Sequence, residues 1–279
     1  MSHKSLAQQA KDRIGKTHDL GHETIEKNQG NLERLMDRIE DKYGLERIQN
    51  LKTKHIDGVF ADMREEGLSP STIAGYATVA RDIAEAIGKE NIVRSNEELG
   101  ASRQGTRLNP KIADQEKMSQ IQEFLNRKDD WLGAAWQLQQ ALGLRLAEGI
   151  KPLKIVENER GELSLEVIGK GGHIYRPPIN TPERVEAVAR AFAVKEMQGG
   201  KGLIPPEKSF KQGYDKCRNE IRNAGGTKAN MANSQLGRHT VIQERLGGSV
   251  RSASPETRAK TIREVGHYDE AKLRHYCDL

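Results

Sequence analysis

TIREVGHYDEAKLRHY, residues 261 to 276, ends on a tyrosine nine positions after the dipeptide Gly266-His267. Tyr276 taken alone reads as a packing or surface residue, because the phenol ring is amphipathic and common in both settings. Three segments upstream change that reading. ALGLRLAE carries Arg145 and Glu148, VIGKGG carries Lys170, and LGRHT carries Arg238, His239 and Thr240. Two arginines, a lysine, a histidine and a terminal tyrosine thus occur in a set order. Together they suit phosphoryl transfer in DNA: guanidinium groups match phosphate oxygens, an ammonium can donate a proton, and a hydroxyl can attack phosphorus.

Each member has an ordinary explanation as well. Arg145 and Glu148, three apart on a helix, form the spacing of a weak surface ion pair. Their neighbours Trp136, Leu138, Ala141, Leu142, Leu144 and Leu146 are apolar, however, and predict an arginine projecting from a buried helix end, where it needs an anionic partner. Lys170 lies in a glycine-rich turn, as a solvated hairpin lysine or as the proton donor of a mobile hairpin. It does not belong to a nucleotide-binding loop, since no Lys-Ser or Lys-Thr follows at the required spacing. Arg238-His239-Thr240 opens a helix continued by Val241, Ile242 and Leu246, and His267 follows a glycine at a helix end.

Apolar periodicity predicts helices over most of the chain. Residues 17 to 88 read as a small helical bundle, with segments at Glu23 to Tyr43 and Lys54 to Glu66, and a third started by Ser69 and Pro70 and closed by Gly88. Residues 96 to 112 lack a sustained period, are punctuated by Gly100, Gly105 and Pro110, and read as a linker. Arg103, Arg107 and Lys111 in this stretch are either solvated linker charges or contacts along a phosphate backbone. Beyond it, Ala113 to Leu125 and Trp131 to Leu142 read as helices. The period then changes, with Gly161 to Ile168 alternating as one strand, Gly169 to Gly172 turning, and His173 to Ile179 returning as a second strand interrupted by prolines. Helices resume at Pro182 to Met197, Phe210 to Ala224, Leu236 to Leu246 and Ser254 to Val265, the last continuing after a break into Asp269 to Tyr276.

At 279 residues and 35% hydrophobic the chain can bury a core in each of two domains. Its net charge is +5, and from Lys201 onward there are 15 Lys and Arg against 9 Asp and Glu, so the basic excess lies where the candidate site lies. Cys217 and Cys277 make no disulfide framework or metal-binding spacing, and two free thiols suit a reducing compartment. No run is long and apolar enough to span a bilayer and the start lacks a secretion signal, so a cytoplasmic protein is expected, without membrane, metal or cofactor.

The ordered set resembles the catalytic domain of the tyrosine recombinases, the phage-integrase family: an arginine in a Gly-Leu-Arg-x-x-Glu box, a hairpin lysine, an Arg-His-Thr box, then Gly-His and a tyrosine nine residues on. The segment LSPSTIAGY, Leu68 to Tyr76, is similar to that family's helical core-binding domain. The resemblance implies a mainly α fold with a small antiparallel β-hairpin, built as a core-binding domain over residues 1–95, a linker over 96–112 and an α+β catalytic domain over 113–279. It implies that Tyr276 attacks a scissile phosphate, that Arg145, Arg238 and His267 bind its oxygens and Lys170 protonates the leaving oxygen, with Gln235, His239 and Glu148 in support. It implies further a C-shaped clamp on double-stranded DNA at a specific recombination site, a homotetramer on two sites, an accessory DNA-bending protein, and a bacterial or phage-type setting at the nucleoid. One position departs. Gln235 stands where the family usually has histidine, and glutamine donates hydrogen bonds but does not titrate. A DNA-binding protein of this fold with reduced or lost strand exchange, and a topoisomerase-like strand transferase, therefore stay open beside the recombinase.

Overall fold

The computed structural model describes residues 4–15, 22–102, 111–267 and 269–277, and the chain divides into two compact units, Met1–Gly105 and Thr106–Leu279. The first has four α-helices and no strand among its described residues: α1 (Leu6–Ile14), α2 (His22–Tyr43), α3 (Thr53–Glu65) and α4 (Pro70–Ala86). Their apolar faces meet in one core built on Leu35, Met36, Ile39, Ile56, Phe60, Met63, Ile73 and Ile83. Ser69 starts α4 as read from sequence, its Oγ accepting the Thr72 amide hydrogen at 3.2 Å, with Pro70 at the first helical position. Helix α1 escapes a reading that begins at residue 17. It is nine residues long and buries only Leu6, Ala7 and Ala10, too short an apolar pattern to stand out.

The linker expectation needs correction at its start. Leu99 and Ala101 are buried in the first core, and the Leu99 carbonyl accepts a hydrogen bond from Arg64 Nη1 at 3.0 Å. Residues 96 to 101 carry no helical or strand period because they form a turn that contributes only two apolar side chains, and periodicity cannot detect so short a patch. Residues 103–110 lie outside the described residues.

The second unit is built around α6 (Asp130–Leu142), which packs against α5 (Gln115–Lys128), α8 (Pro182–Gln198) and α10 (Leu236–Arg245). Trp131 and Trp136 of α6 are fully buried there. Each finds a partner for its indole hydrogen, in Asp129 Oδ2 at 2.8 Å and the Met118 carbonyl at 3.3 Å. Helix α9 (Phe210–Asn223) closes the core with Cys217 and Ile221, while α7 (Leu146–Gly149) is a single turn after α6. Helix α11 (Pro255–Glu264) and a 3-10 segment, Glu270–His275, follow α10 and share a satellite core of Ile242, Leu246, Val250, Ile262, Val265, Leu273 and Cys277. The final segment expected as a helix is thus the tighter 3-10 form.

The two expected strands are present in divided form. β2 (Leu163–Leu165) pairs antiparallel with β1 (Ile155–Glu157), and β3 (Val167–Ile168) pairs antiparallel with β4 (Ile174–Tyr175) in the register Val167 to Tyr175 and Ile168 to Ile174. Pro177 and Pro178 interrupt the returning strand, because proline donates no ladder hydrogen bond. Pairing survives beside them through Leu165 N–H to the Pro177 carbonyl and Ile179 N–H to the Leu163 carbonyl. β1 has only three residues and was not legible as a strand. No helix among the described residues is long and apolar enough to cross a membrane.

Leu99→Ala is expected to destabilise the first unit by about 2 to 5 kcal/mol, the cost of emptying a core leucine site. Hydrogen exchange of the α3 and α4 amides reads it; a solvated linker position would cost under about 0.5 kcal/mol.

Candidate active site

The site begins where α6 ends. Gly143 terminates α6 in the left-handed conformation, φ +66°, which turns the chain into α7 with Arg145 as the N-cap residue. Glu148, at the third helical position, folds back on that cap: its Oε2 accepts the Arg145 amide hydrogen at 2.7 Å, and its Oε1 accepts from Arg145 Nη1 at 2.5 Å. This Arg-x-x-Glu spacing therefore builds a cap, with a carboxylate only 5% exposed, and is no loose surface pair. The Arg145 side chain stays 34% exposed and keeps Nε and Nη2 unbonded among the described residues. Burial works against its charge, but Glu148 outweighs that and holds its pKa above the ordinary value.

Arg238 approaches the same carboxylate from the first turn of α10 and is only 3% exposed. Its Nη1 donates to the Gly143 carbonyl at 2.9 Å and lies 3.9 Å from Glu148 Oε2, while Nη2 donates to the Val265 carbonyl at the end of α11. Its Nε has no hydrogen-bond partner among the described residues. A buried guanidinium with an unspent donor is costly in the protein alone and is suited to an oxyanion.

Tyr276 sits at the end of the 3-10 segment with its ring against the satellite core. Gln243 Nε2 donates to its carbonyl at 2.7 Å and also to the Lys111 carbonyl at 3.1 Å. The Tyr276 hydroxyl is 2.9 Å from His267 Nε2, and the His239 ring packs against the Tyr276 ring with centroids 4.6 Å apart. Burial first, then the charges of Arg238 and Arg145, push the His267 pKa down to about 4. At neutral pH this imidazole is uncharged, and in the tautomer that carries its proton on Nδ1 its Nε2 accepts from the phenol.

The remaining expected residues are placed less closely. Lys170 opens the turn between β3 and β4, exposed and without a hydrogen bond or ion pair to a described residue. The base of its hairpin lies beside the arginine turn: Lys151 Nζ donates to the Ile168 carbonyl at 2.8 Å, and a Cβ on Gly169 would stand 3.4 Å from Glu148 Oε1. Gln235 is exposed at the N-terminus of α10, its amide hydrogen bound by Asn233 Oδ1 at 3.0 Å. Lys111 is half-buried, and Arg103 and Arg107 lie outside the described residues. No cluster of side chains able to hold a metal occurs among the described residues. Sequence reasoning passed over Gln243, which carries no motif. It also passed over Tyr175, whose only signal is an inward place in a two-residue strand.

Residues 98–242 match the family model described as Integrase. The tyrosine recombinase XerC of Shewanella amazonensis is 27% identical over 142 residues, covering 49% of this chain and 47% of that protein, so the match spans about half of the curated relative. Among solved structures, a lambda integrase tetramer bound to a Holliday junction aligns over 98% of this chain and 76% of that chain, with TM-score 0.65 and 14% identity. XerH site-specific recombinase bound to its difH substrate before cleavage aligns over 98% of this chain and 81% of that chain, with TM-score 0.61 and 13% identity. At such identities the likeness to the solved structures is one of fold.

Because the His267 pKa is about 4 in the folded chain against an ordinary 6.5, the unfolded chain binds the extra proton between those values. The stability contributed by keeping this ring neutral is complete above pH 6.5 and is lost as pH falls toward 4. Urea unfolding of the wild type and of His267→Gln across that window is expected to show a shallower pH slope in the variant. NMR titration of the His267 ring near 6.5 instead would contradict the burial.

Proposed function

This chain belongs to the integrase family, and from that premise we propose that it is a site-specific tyrosine recombinase, cleaving and rejoining duplex DNA through a 3′-phosphotyrosine. The observation that carries the reading is the Tyr276 hydroxyl held 2.9 Å from a neutral His267. Beside it two arginines are set around one buried glutamate. Tyr276 Oη attacks the scissile phosphorus while the bond from phosphorus to the 5′ oxygen breaks. The phenol proton passes to His267 Nε2, and the departing 5′ oxygen takes a proton from Lys170. The reverse steps rejoin the strand, so bond energy is conserved in the covalent link and neither nucleotide nor metal is consumed.

Charge gathering on the nonbridging oxygens meets the unspent donors of Arg145 and Arg238 in a site whose dielectric is lowered by burial. Glu148 holds both guanidiniums in place and offsets their mutual repulsion. Gln235, exposed at the start of α10, adds a neutral donor without proton chemistry, which assigns the proton acceptor's role to His267. His239 supports the Tyr276 ring through their contact.

In this reading the core-binding domain, expected over residues 1–95, extends through Ala101, residues 113–279 are the catalytic domain, and Arg103, Arg107 and Lys111 of the linker contact phosphates. The partner is double-stranded DNA at a specific site, engaged by four protomers on two sites, with an accessory DNA-bending protein, at the nucleoid. The lambda integrase neighbour was solved as a tetramer on a Holliday junction, which supports that assembly.

A duplex nicked close to the crossover traps the covalent intermediate. The wild type is expected to form an adduct that Tyr276→Phe abolishes and Arg145→Ala slows by about a hundredfold or more. DNA binding without adduct at any site would leave only the DNA-binding reading, while supercoil relaxation independent of sequence would favour a topoisomerase-like transferase. Lys170→Ala is expected to cleave slowly, with full rate restored by a sulfur in place of the 5′ bridging oxygen, since a thiolate leaves without a proton. Replacing Arg103, Arg107 and Lys111 together by alanine is expected to lower the slope of log affinity against log salt by about 3, roughly one per lost phosphate contact.

A further inference from the structure

Tyr175 is not one of the residues in the phosphoryl-transfer scheme, yet it touches three of the segments that carry them. It lies in β4, 6% exposed, paired across the sheet with Val167 and one strand residue from the turn that presents Lys170. Its hydroxyl donates to Glu148 Oε2 at 2.7 Å, on the oxygen that also accepts the Arg145 amide hydrogen and faces Arg238 Nη1. Its ring stands against Gly266: a Cβ there would stand 2.5 Å from Cδ1 and 2.7 Å from Cε1. A Cβ on Gly169, next to Lys170, would stand 3.4 Å from Cε1 of the same ring.

We propose that Tyr175 is a positioning residue of the strand-transfer site, its hydroxyl setting Glu148, and through Glu148 both arginines, while its ring sets the Gly266-His267 turn. The inference rests on the recombinase reading above. Two features make the arrangement specific. Glu148 accepts from three sides, and the phenol hydrogen is the donor that comes from the hairpin, so it ties the lysine-bearing hairpin to the arginine turn. Burial and the adjacent Glu148 charge raise the Tyr175 pKa, which keeps the hydroxyl protonated and able to donate at neutral pH. Gly266 is the other half of the contact. With φ +64° and an aromatic ring where its Cβ would be, it accepts no side chain without displacing Tyr175 or His267. The glycine of the Gly-His pair is thereby explained by packing against Tyr175, a residue distant in sequence.

Tyr175→Phe keeps the ring and removes only the hydroxyl. On the nicked duplex it is expected to form the Tyr276 adduct about tenfold or more slowly at saturating DNA, with DNA affinity unchanged. In a Glu148→Gln background the same substitution is expected to have little further effect, because the hydroxyl acts through that carboxylate. Gly266→Ala is expected to slow cleavage and to shift the His267 titration, which Tyr175→Phe leaves in place. Should Tyr175→Phe fold poorly, Glu148→Asp withdraws the carboxylate from the hydroxyl with its charge kept and is expected to give the same loss of rate. Cleavage by Tyr175→Phe at the wild-type rate, or an equal loss with and without Glu148, overturns the positioning role while leaving the recombinase reading intact. A wild-type protein that forms no adduct overturns both.

Discussion

One buried carboxylate organises the second unit's functional end. Glu148 is 5% exposed and would be expensive to ionise there without compensation. Compensation comes from the Arg145 amide and guanidinium, the Tyr175 hydroxyl and the nearby Arg238. The three residues that supply this compensation lie on different elements, so satisfying a single charge draws α7, the hairpin and α10 together. The same carboxylate makes room for Arg238, whose guanidinium is buried more deeply than an isolated arginine could be. Both arginines are then brought to one place before any ligand arrives, and the cost of gathering like charges is met by folding.

Tyr276 is held by a different device. It belongs to a satellite core of few residues between α10, α11 and the last 3-10 segment, with Gln243 fastening its carbonyl. Arg238 joins the two parts: it donates to the Gly143 carbonyl on one side and the Val265 carbonyl on the other, next to Gly266-His267. Burial, and after it the charges of Arg238 and Arg145, lower the His267 pKa. The arrangement that gathers positive charge, together with burial, therefore keeps the neighbouring imidazole neutral, the form that the proposed attack by the phenol requires.

The sequence was informative where a physical rule repeats along the chain. Helical periodicity located α2 to α6 and α8 to α11, and alternation located the hairpin, because each signal spans many residues. It was silent where the decisive patch is short. α1 buries three side chains, β1 has three residues, and Leu99 and Ala101 reach the first core from a turn with no period at all. Arg145 and Glu148 show the middle case: their spacing was visible, but whether it made a surface pair or a buried cap depended on what packs above it.

Residue types and their order were settled by sequence alone: two arginines, a lysine, two histidines and a tyrosine, in segments whose caps, glycines and apolar periods set their local form. Local form follows from interactions within a few residues, which is why it can be read from a string. Tertiary structure alone decided that Glu148 is the hub, that Tyr175 ties the hairpin to it, that Gly266 is required by a distant ring, and that His267 is neutral beside Tyr276. Burial and through-space charge set these properties, and both depend on neighbours that the fold supplies from distant parts of the chain.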